Sequence, residues 1–403
     1  MREIKGKTQV IAVALVTAFC LLGDSMLYIV LPIYWQEAGL SSLWEVGILL
    51  SVNRLVRVPL GPLVGKWYER SGGRVGLIAA VILAFVTTMS YGLHGFWLWL
   101  VMRSVWGIAW TFLRLGAYSL IVSVSEEDNR GQLMGLYNGL YRLGSLGGMI
   151  AGAFLASIYG LATTAVVLGF FSLPALVLVF RYIRPSFSKR YVYTDAAAIS
   201  ESFWKQRSVW AVMATALVVA MVYQGMFASA LSRLIELRQS IFEFGGLVLG
   251  AAVMASLVQG MRWGWEPWAA PWSGKLSDRY GRKRIFACAL LAAALFFGLL
   301  QAPVAFPFWV CFLLGIQMTA TVLTTVMDAL AADQAARQAN STALMTVYSV
   351  VTDIGAALGP LLAFWLDGRL GLESMFGGIA LILLALAIWW GYQQSRIWKR
   401  NAL

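Results

Sequence analysis

Several charged side chains lie inside stretches of the sequence that are otherwise apolar. The first acidic residue among them along the chain is Asp24, in the stretch LLGDSMLYIVLP. A carboxylate there could bind and release a proton, because burial favours its neutral form and a nearby arginine favours its ionised form. The alternative is a structural salt bridge that does not titrate near neutral pH. The basic ones could pair with acids or bind carboxylate and phosphate groups; they are Arg54, Arg57, Arg103, Arg114, Arg142 and Arg262.

The composition indicates that these charges are surrounded by a membrane. Of the 403 residues, 60% are hydrophobic and 12% are charged, whereas about 25% of residues are charged in a typical soluble domain. We therefore expect an all-α membrane protein whose main partner is the lipid bilayer. A charge at the bilayer centre costs at least about 2.5 kcal/mol, so each buried charge needs a partner, water or a ligand.

The chain can be divided into apolar segments of the length that a membrane helix needs, about 20 residues. We predict twelve, at roughly 9–34, 44–65, 75–93, 96–122, 132–158, 163–183, 208–232, 245–272, 284–302, 306–330, 341–366 and 374–393. The one long polar connection follows the sixth segment. The predicted domains are thus a six-helix bundle over 1–183, a linker over 184–207 and a second six-helix bundle over 208–403.

The distribution of positive charge predicts the orientation. The net charge is +12, which in a soluble protein would suggest nucleic acid. Here most of the Lys and Arg residues fall in the termini and in the loops on one side, and only Arg233, Arg238 and Arg369 fall in the opposite loops. Because cytoplasmic loops are enriched in Lys and Arg, we expect both termini and the linker in the cytoplasm, and no nucleic-acid partner.

A loop sequence occurs twice, as GKWYERSGGRVGL from Gly65 and as GKLSDRYGRKRIF from Gly274. Each copy follows the second apolar segment of its half, and such a repeat between halves is typical of transporters. Glycines permit a sharp turn there, and basic residues hold the loop in the cytoplasm. The residues concerned are Gly65, Glu69, Arg70, Gly72 and Arg74 in the first copy and Gly274, Asp278, Arg279, Gly281 and Arg282 in the second.

With this repeat, the chain resembles the major facilitator superfamily over essentially its whole length. The second copy matches the family's loop motif, whereas the first departs from it at Glu69 and Gly73. RSVWGIAW, from Arg103, resembles the fourth-helix motif of proton-coupled members. The fifth segment is similar to the antiporter motif of drug and metabolite exporters in its glycines, which could equally form a tight helix contact without directional meaning; they are Gly135, Gly144, Gly148 and Gly152.

The resemblance implies roles for the buried charges. Asp24 and Arg103 would couple transport to protons, although Arg103 could simply balance Asp24. A cavity formed by Arg54, Arg114, Trp106 and Trp110 would suit anionic or zwitterionic compounds, unless Arg114 extends to the membrane interface. Under the repeat and the family's helix packing, Arg57 pairs with Asp353 and Arg142 with Glu266, latching the halves together. The alternative is local pairing of Arg262 with Glu266, four residues apart on one helix.

We therefore expect a monomeric secondary transporter of the plasma membrane that exports a small organic molecule by alternating access, driven by the proton gradient. The alternatives are an importer or exchanger of organic anions, and a flippase for lipid-linked substrates on the same scaffold. We expect no enzymatic activity, no cofactor and no metal, because the sequence has neither a phosphate-binding glycine loop nor clustered Cys and His residues.

Overall fold

The computed structural model describes residues 2–71, 73–125, 130–184, 206–244, 247–336 and 341–401. Most of the predicted linker, residues 185–205, lies outside them. The described chain is helical except for short connections and one antiparallel hairpin of strands β1 (Ile241–Phe244) and β2 (Leu247–Gly250). The hairpin departs from the all-helical expectation, and it occupies the start of the predicted segment 245–272.

The N-terminal part of the chain contains long helices joined by short turns. They are α1 (Arg2–Val30), α2 (Leu43–Ser71), α3 (Gly73–Ser90), α4 (Phe96–Val124), α5 (Arg130–Phe170) and α6 (Pro174–Tyr182). Helix α1 ends two residues before Pro32, because proline disfavours helical backbone in the residue that precedes it.

Helix α5 is interrupted at Gly160, where φ is 78°. Only glycine adopts this backbone conformation readily. The Leu161 N–H, at the start of the following segment, donates to the Glu37 carboxylate at 3.1 Å, so a side chain satisfies a backbone donor that the interruption leaves unpaired. The predicted segments 132–158 and 163–183 are therefore separated at a glycine with little intervening loop.

The C-terminal part begins with a helix that is α-helical at both ends and π-helical between them. Helix α7 (Arg207–Ala220) continues through a π-helical turn over Met221–Phe227 into α8 (Ala228–Arg238). After the hairpin come α9 (Ala251–Tyr280), α10 (Arg282–Leu299), α11 (Phe306–Ala336), α12 (Ser341–Leu370) and α13 (Leu372–Asn401).

The chain divides into two compact units. The first comprises Met1–Tyr193, Leu231–Glu236 and Ser240–Ser256, and the second comprises the remaining residues. The core of the first is formed by apolar residues of α1, α3, α4, α5 and α6, with Trp106 and Tyr137 among the largest. In the second unit, buried aromatic rings pack together, with Phe297 stacked on Phe376 and edge-on to Phe227.

Within the described residues, eight helical segments are long and apolar enough to cross a membrane. They are Gly6–Val30, Gly73–Ser90, Phe96–Val124, Leu133–Tyr182, Arg207–Arg238, Phe306–Ala335, Val347–Leu370 and Leu372–Tyr392. The segment Leu133–Tyr182 covers two of the predicted spans. Helices α2 and α9 are less apolar because they carry charges such as Arg54, Arg57 and Glu266. The count of twelve spans stays a prediction.

Candidate functional site

The centre of the candidate site is Asp24 on α1, within the segment Gly6–Val30. The residue is only 6% exposed. Its Oδ1 accepts a hydrogen bond from Nη1 of Arg103 on α4, which also makes the ion pair. The amide nitrogen of Asn53, on α2, lies 3.4 Å from the same oxygen. Three helices thus supply the groups around one buried carboxylate.

Arg103 is completely buried. Its Nε donates to the backbone carbonyl of Leu49 at 2.9 Å, and its Nη1 donates to Asp24. Burying a charge is costly unless the charge is paired and hydrogen-bonded, so these contacts explain how a guanidinium is held there. The third nitrogen, Nη2, is buried and has no hydrogen-bond partner.

Small residues bring these helices close together. A β-carbon added to Gly107 on α4 would lie 2.5 Å from the backbone oxygen of Asn53 on α2, and one added to Gly23 on α1 would overlap the side chain of Thr88 on α3. Glycine permits this approach because it has no side chain. Gly23 directly precedes Asp24 and Gly107 lies one helical turn after Arg103, so these contacts bring α1 close to α3 and α4 close to α2 beside the ion pair.

The arginine side chains of α2 lie beside aromatic rings. Nε of Arg54 donates to the Tyr28 hydroxyl at 3.4 Å, and its guanidinium lies 5.7 Å from the centre of that ring. The Arg57 guanidinium lies 5.2 Å from the ring of Trp110 on α4. Cations are attracted to the faces of aromatic rings at such distances.

On α4 and α5 the same arrangement continues. The Arg114 guanidinium lies 5.6 Å from the Tyr118 ring, and the Trp110 ring packs edge-on against Tyr141 at 5.9 Å. Trp106, which was predicted beside Trp110 in a cavity, is 1% exposed and belongs to the hydrophobic core. Its burial favours a packing role, whereas Trp110 is only partly buried.

The glycines of α5 separate into two groups. Added β-carbons at Gly144, Gly148 and Gly152 would overlap Ala18, Leu22 and Met26 of α1, respectively. Around Gly135 nothing lies within 4 Å of an added β-carbon. Three of the four predicted glycines therefore form one face against α1, close to Asp24, and Gly135 does not share it.

The second unit repeats this contact. Gly355 and Gly359 of α12 approach Leu217 and the π-helical turn, and a β-carbon at Gly359 would overlap Gly225. The second unit also buries pairs of neutral polar side chains. The Tyr223 hydroxyl lies 3.0 Å from that of Thr319, and Gln317 donates to Gln259 at 2.7 Å.

The repeated loops differ in their contacts. Arg282 of the second copy bonds Asp278 at 3.1 Å, the Ala329 carbonyl at 2.8 Å and Asp333 at 2.5 Å. Beside it, Gly281 has a φ of 94°, and the Arg279 guanidinium lies 5.4 Å from the Tyr280 ring. These contacts join the end of α9 to α10 and α11.

In the first copy, Gly73 occupies the position that aligns with Arg282, and it has no side chain that could make the contacts of Arg282. Arg74 instead donates to the Phe180 carbonyl at 2.8 Å and lies over the ring of that residue. Gly72 lies outside the described residues. Gly65, Glu69 and Arg70 lie on α2, but their side chains fall outside the description.

The predicted latch pairs join residues of different units. Arg57 and Arg142 belong to the first unit, and Asp353 and Glu266 belong to the second. Arg142 is exposed, and the other three are intermediate in exposure. Their pairing across the halves stays a prediction.

Sequence reasoning missed several polar neighbours of the ion pair. Tyr28 lies one helical turn after Asp24, and Asn53 directly precedes Arg54, so a signal existed in the spacing. Tyr91 gave no signal, because it lies in the turn after α3, far from both charged residues in sequence. The buried amides Gln259 and Gln317 were also missed, since each is a single polar residue in an apolar helix.

Comparisons with known proteins relate this architecture to one family. The sequence matches the Major Facilitator Superfamily over residues 13–269 and 267–398. It is similar to multidrug resistance protein MdtG of Salmonella arizonae, with 24% identity over 382 residues that cover 91% of this chain and 90% of the relative. MdtG of Salmonella choleraesuis is also 24% identical, over 374 residues that cover 89% and 88%.

Solved structures share the fold at lower identity. One is a bacterial homologue of the human lysosomal transporter Spinster in an inward-facing, unoccupied conformation, with a TM-score of 0.75, 14% identity and 96% coverage of each chain. Another is a POT family transporter in complex with a thioalcohol-conjugated peptide, with a TM-score of 0.73, 12% identity and coverage of 98% of this chain and 96% of the other. The sequence match, which extends over most of the chain, shows that the protein belongs to the Major Facilitator Superfamily of membrane transporters.

Proposed function

We propose that this transporter exports small organic molecules from the cytoplasm in exchange for protons. The observation that carries the proposal is the buried ion pair of Asp24 and Arg103. Within a candidate membrane span, a carboxylate is expensive to keep ionised, and such residues are typical of proton pathways and substrate pathways. The similarity to proteins named for multidrug resistance supports export over import.

Proton exchange follows from the chemistry of the pair. With Asp24 ionised, Arg103 neutralises its charge and donates a hydrogen bond. Proton uptake from the outside neutralises the carboxylate and weakens its hold on the guanidinium, because a charge-assisted bond becomes a neutral one. Release of the proton to the cytoplasm restores the ion pair. Alternating access of the site to the two sides would couple this cycle to movement of the substrate.

The substrate class follows from the other charges of the first unit. Arg54, Arg57 and Arg114 each lie over an aromatic ring. Guanidinium groups bind carboxylate or phosphate bidentately, and exposed aromatic surface accepts apolar rings. Together they favour anionic or zwitterionic compounds that contain a ring, with Arg54, Arg114 and Trp110 as the contacting residues.

We also propose a topology of twelve spans with cytoplasmic termini, located in the plasma membrane, which fits the basic loops and the family. The repeated cytoplasmic loops would act as gates, and in the second unit Arg282 holds three helices together at that place.

A direct test uses the purified protein in proteoliposomes. A thermal-shift screen against anionic, zwitterionic and cationic compounds would first identify ligands, and counterflow of a labelled ligand would then be measured with and without a pH gradient. We expect the anionic or zwitterionic ligands to bind and the gradient to accelerate their transport. Ligand transport at the same rate with and without the gradient would instead indicate an exchanger. Scrambling of a labelled lipid would indicate a flippase.

A further inference from the structure

The side chain of Tyr68 fills a slot between two other helices. It belongs to the first copy of the repeated loop, near the end of α2, and is only 7% exposed. A β-carbon added to Gly76 on α3 would lie 2.4 Å from Cζ of its ring, and one added to Gly116 on α4 would lie 2.5 Å from its hydroxyl oxygen. Because a side chain at either position would overlap Tyr68, the two glycines create the space that it occupies.

A backbone carbonyl closes the end of this slot. The Tyr68 hydroxyl donates to the carbonyl of Phe112 on α4 at 2.7 Å. Gly116 lies one helical turn after Phe112, and a side chain there would extend back over that carbonyl. A carbonyl oxygen has two lone pairs, so it can accept from the tyrosine as well as from its own helix. The end of α2 is thus joined to α4 by a bond between uncharged groups.

The second copy of the loop has the opposite residue sizes at the same two positions. When the copies are aligned, Ser277 stands at the position of Tyr68 and Ile285 at the position of Gly76. Ser277 is buried, and its hydroxyl donates to the Gly274 carbonyl of its own helix at 2.8 Å. A large and a small residue in the first copy therefore correspond to a small and a large residue in the second. This paired difference indicates that the Tyr68 ring and Gly76 are matched to each other.

The contact between helices also has a different chemistry in the second copy. Arg282 there bonds to the Ala329 carbonyl and to Asp333, both on α11. Its acidic partners are accessible to water, because the side chains of Asp278 and Asp333 are 62% and 44% exposed. Helices α4 and α11 correspond to the fourth helices of the two predicted bundles. Each loop is therefore joined to the fourth helix of its half, by a hydroxyl in the first copy and by a guanidinium in the second.

We propose that Tyr68 is an uncharged anchor that holds the cytoplasmic end of α2 against α3 and α4, where the second copy uses charged contacts. The inference rests on the proposed role of the repeated loops as cytoplasmic gates. Ring packing and a bond between neutral groups are not screened by salt, whereas exposed ion pairs weaken as the ionic strength rises. The contacts of the two gates therefore differ in their response to ionic strength.

Hydrogen exchange of the backbone amides at the end of α2, followed by mass spectrometry of the purified protein, tests the anchor without transport. Tyr68→Phe keeps the ring in its slot and removes only the hydroxyl. Loss of this one hydrogen bond should speed the exchange there by about two- to tenfold. Ser277→Ala is the matched control, because the aligned hydroxyl bonds only within α9 among the described contacts, and we expect it to leave the exchange at the end of α9 unchanged. Unchanged exchange in Tyr68→Phe overturns the inference.

Salt separates the two kinds of contact. The effect of Tyr68→Phe should be the same at about 0.1 M and about 1 M salt, although the screening length falls from about 10 Å to about 3 Å. Arg282→Gln should speed the exchange at the end of α9 at the lower concentration and have a smaller effect at the higher one, because salt already weakens the ion pairs of the unmodified protein. A Tyr68→Phe effect that decreases with salt in the same way would contradict an uncharged anchor.

The matched sizes can be tested by installing the residues of the second copy. Gly76→Ile alone places a side chain where the Tyr68 ring lies, and Tyr68→Ser alone leaves a void, so each should lower the unfolding temperature. The double variant has the pair found at Ser277 and Ile285, and it should unfold at a higher temperature than either single variant. If its loss equals the sum of the two single losses, the ring and the glycine are not matched and the inference fails.

The anchor and the proposed function fail in different ways. If Tyr68→Phe exchanges faster at the end of α2 but has the counterflow rate of the unmodified protein, the anchor is supported and the gate role of the first copy is wrong. If the unmodified protein does not respond to a pH gradient, the proposed proton exchange is wrong, and the exchange measurement still decides on the anchor. If exchange at the end of α2 does not change in Tyr68→Phe, the anchor is wrong whatever the transport result.

Discussion

The Asp24 carboxylate on α1 accepts a hydrogen bond from the Arg103 guanidinium on α4, and both residues are almost completely shielded from solvent. The partners are 79 residues apart in sequence. Each makes the burial of the other tolerable, because an isolated charge in an apolar interior is far more costly than a pair. The pair therefore joins α1 to α4 in the interior of the first unit.

Removal of the cation should destabilise the protein more than removal of both charges. In Arg103→Gln, Asp24 loses its partner, and we expect a loss of about 3–5 kcal/mol in the free energy of unfolding. The double variant Asp24→Asn with Arg103→Gln has no unpaired charge and should recover a large part of that loss. Denaturant unfolding in detergent measures both values. Equal stability of Arg103→Gln and the unmodified protein would show that the pair does not act this way.

The glycine face of α5 gives a prediction with an internal control. In Gly148→Ala, the added methyl group would overlap the backbone of Leu22, so α1 and α5 must separate. Overpacking of this kind costs about 1–3 kcal/mol. Gly135→Ala adds the same group where nothing lies within 4 Å, and we expect no loss. Thermal unfolding of the two variants would decide, and equal unfolding temperatures would contradict a tight contact at Gly148.

The turn between α9 and α10 depends on Gly281, whose φ is 94°. A side chain at this conformation is strained, so Gly281→Ala should cost about 1–3 kcal/mol. The strain would also disturb Arg282, the next residue, which bonds Asp278 and Asp333. Gly274→Ala is the matched control, because an added β-carbon there meets nothing within 4 Å. If both variants unfold at the same temperature, the strain at Gly281 is not significant.

Some of the architecture could be predicted from the sequence for clear physical reasons. Long apolar segments predict membrane helices, and the repeat of the loop from Gly65 at Gly274 predicts related halves. Charged residues in those segments are so costly that Asp24 and Arg103 could be selected without a structure. Their contact could not be derived from spacing, because it depends on how α1, α2 and α4 pack.

Other features could not be predicted from the sequence patterns. The stretch IFEFGGLVLG, which contains the hairpin, is as apolar as a membrane helix, and short apolar runs do not distinguish strand from helix. The π-helical turn at Met221–Phe227 consists of residue types that also occur in ordinary α-helices, so the sequence does not predict it. The sequence could not predict that Trp106 is buried and Trp110 only partly buried, since both are tryptophans one helical turn apart.

The most direct test of the account is the response of Asp24→Asn to a pH gradient. Asparagine has nearly the same shape but cannot exchange a proton. In proteoliposomes, we expect Asp24→Asn to retain ligand binding in a thermal-shift assay and to lose gradient-driven counterflow, whereas Glu373→Gln, which changes an exposed carboxylate, should keep it. Gradient-driven counterflow at the unmodified rate in Asp24→Asn would contradict proton coupling through this residue.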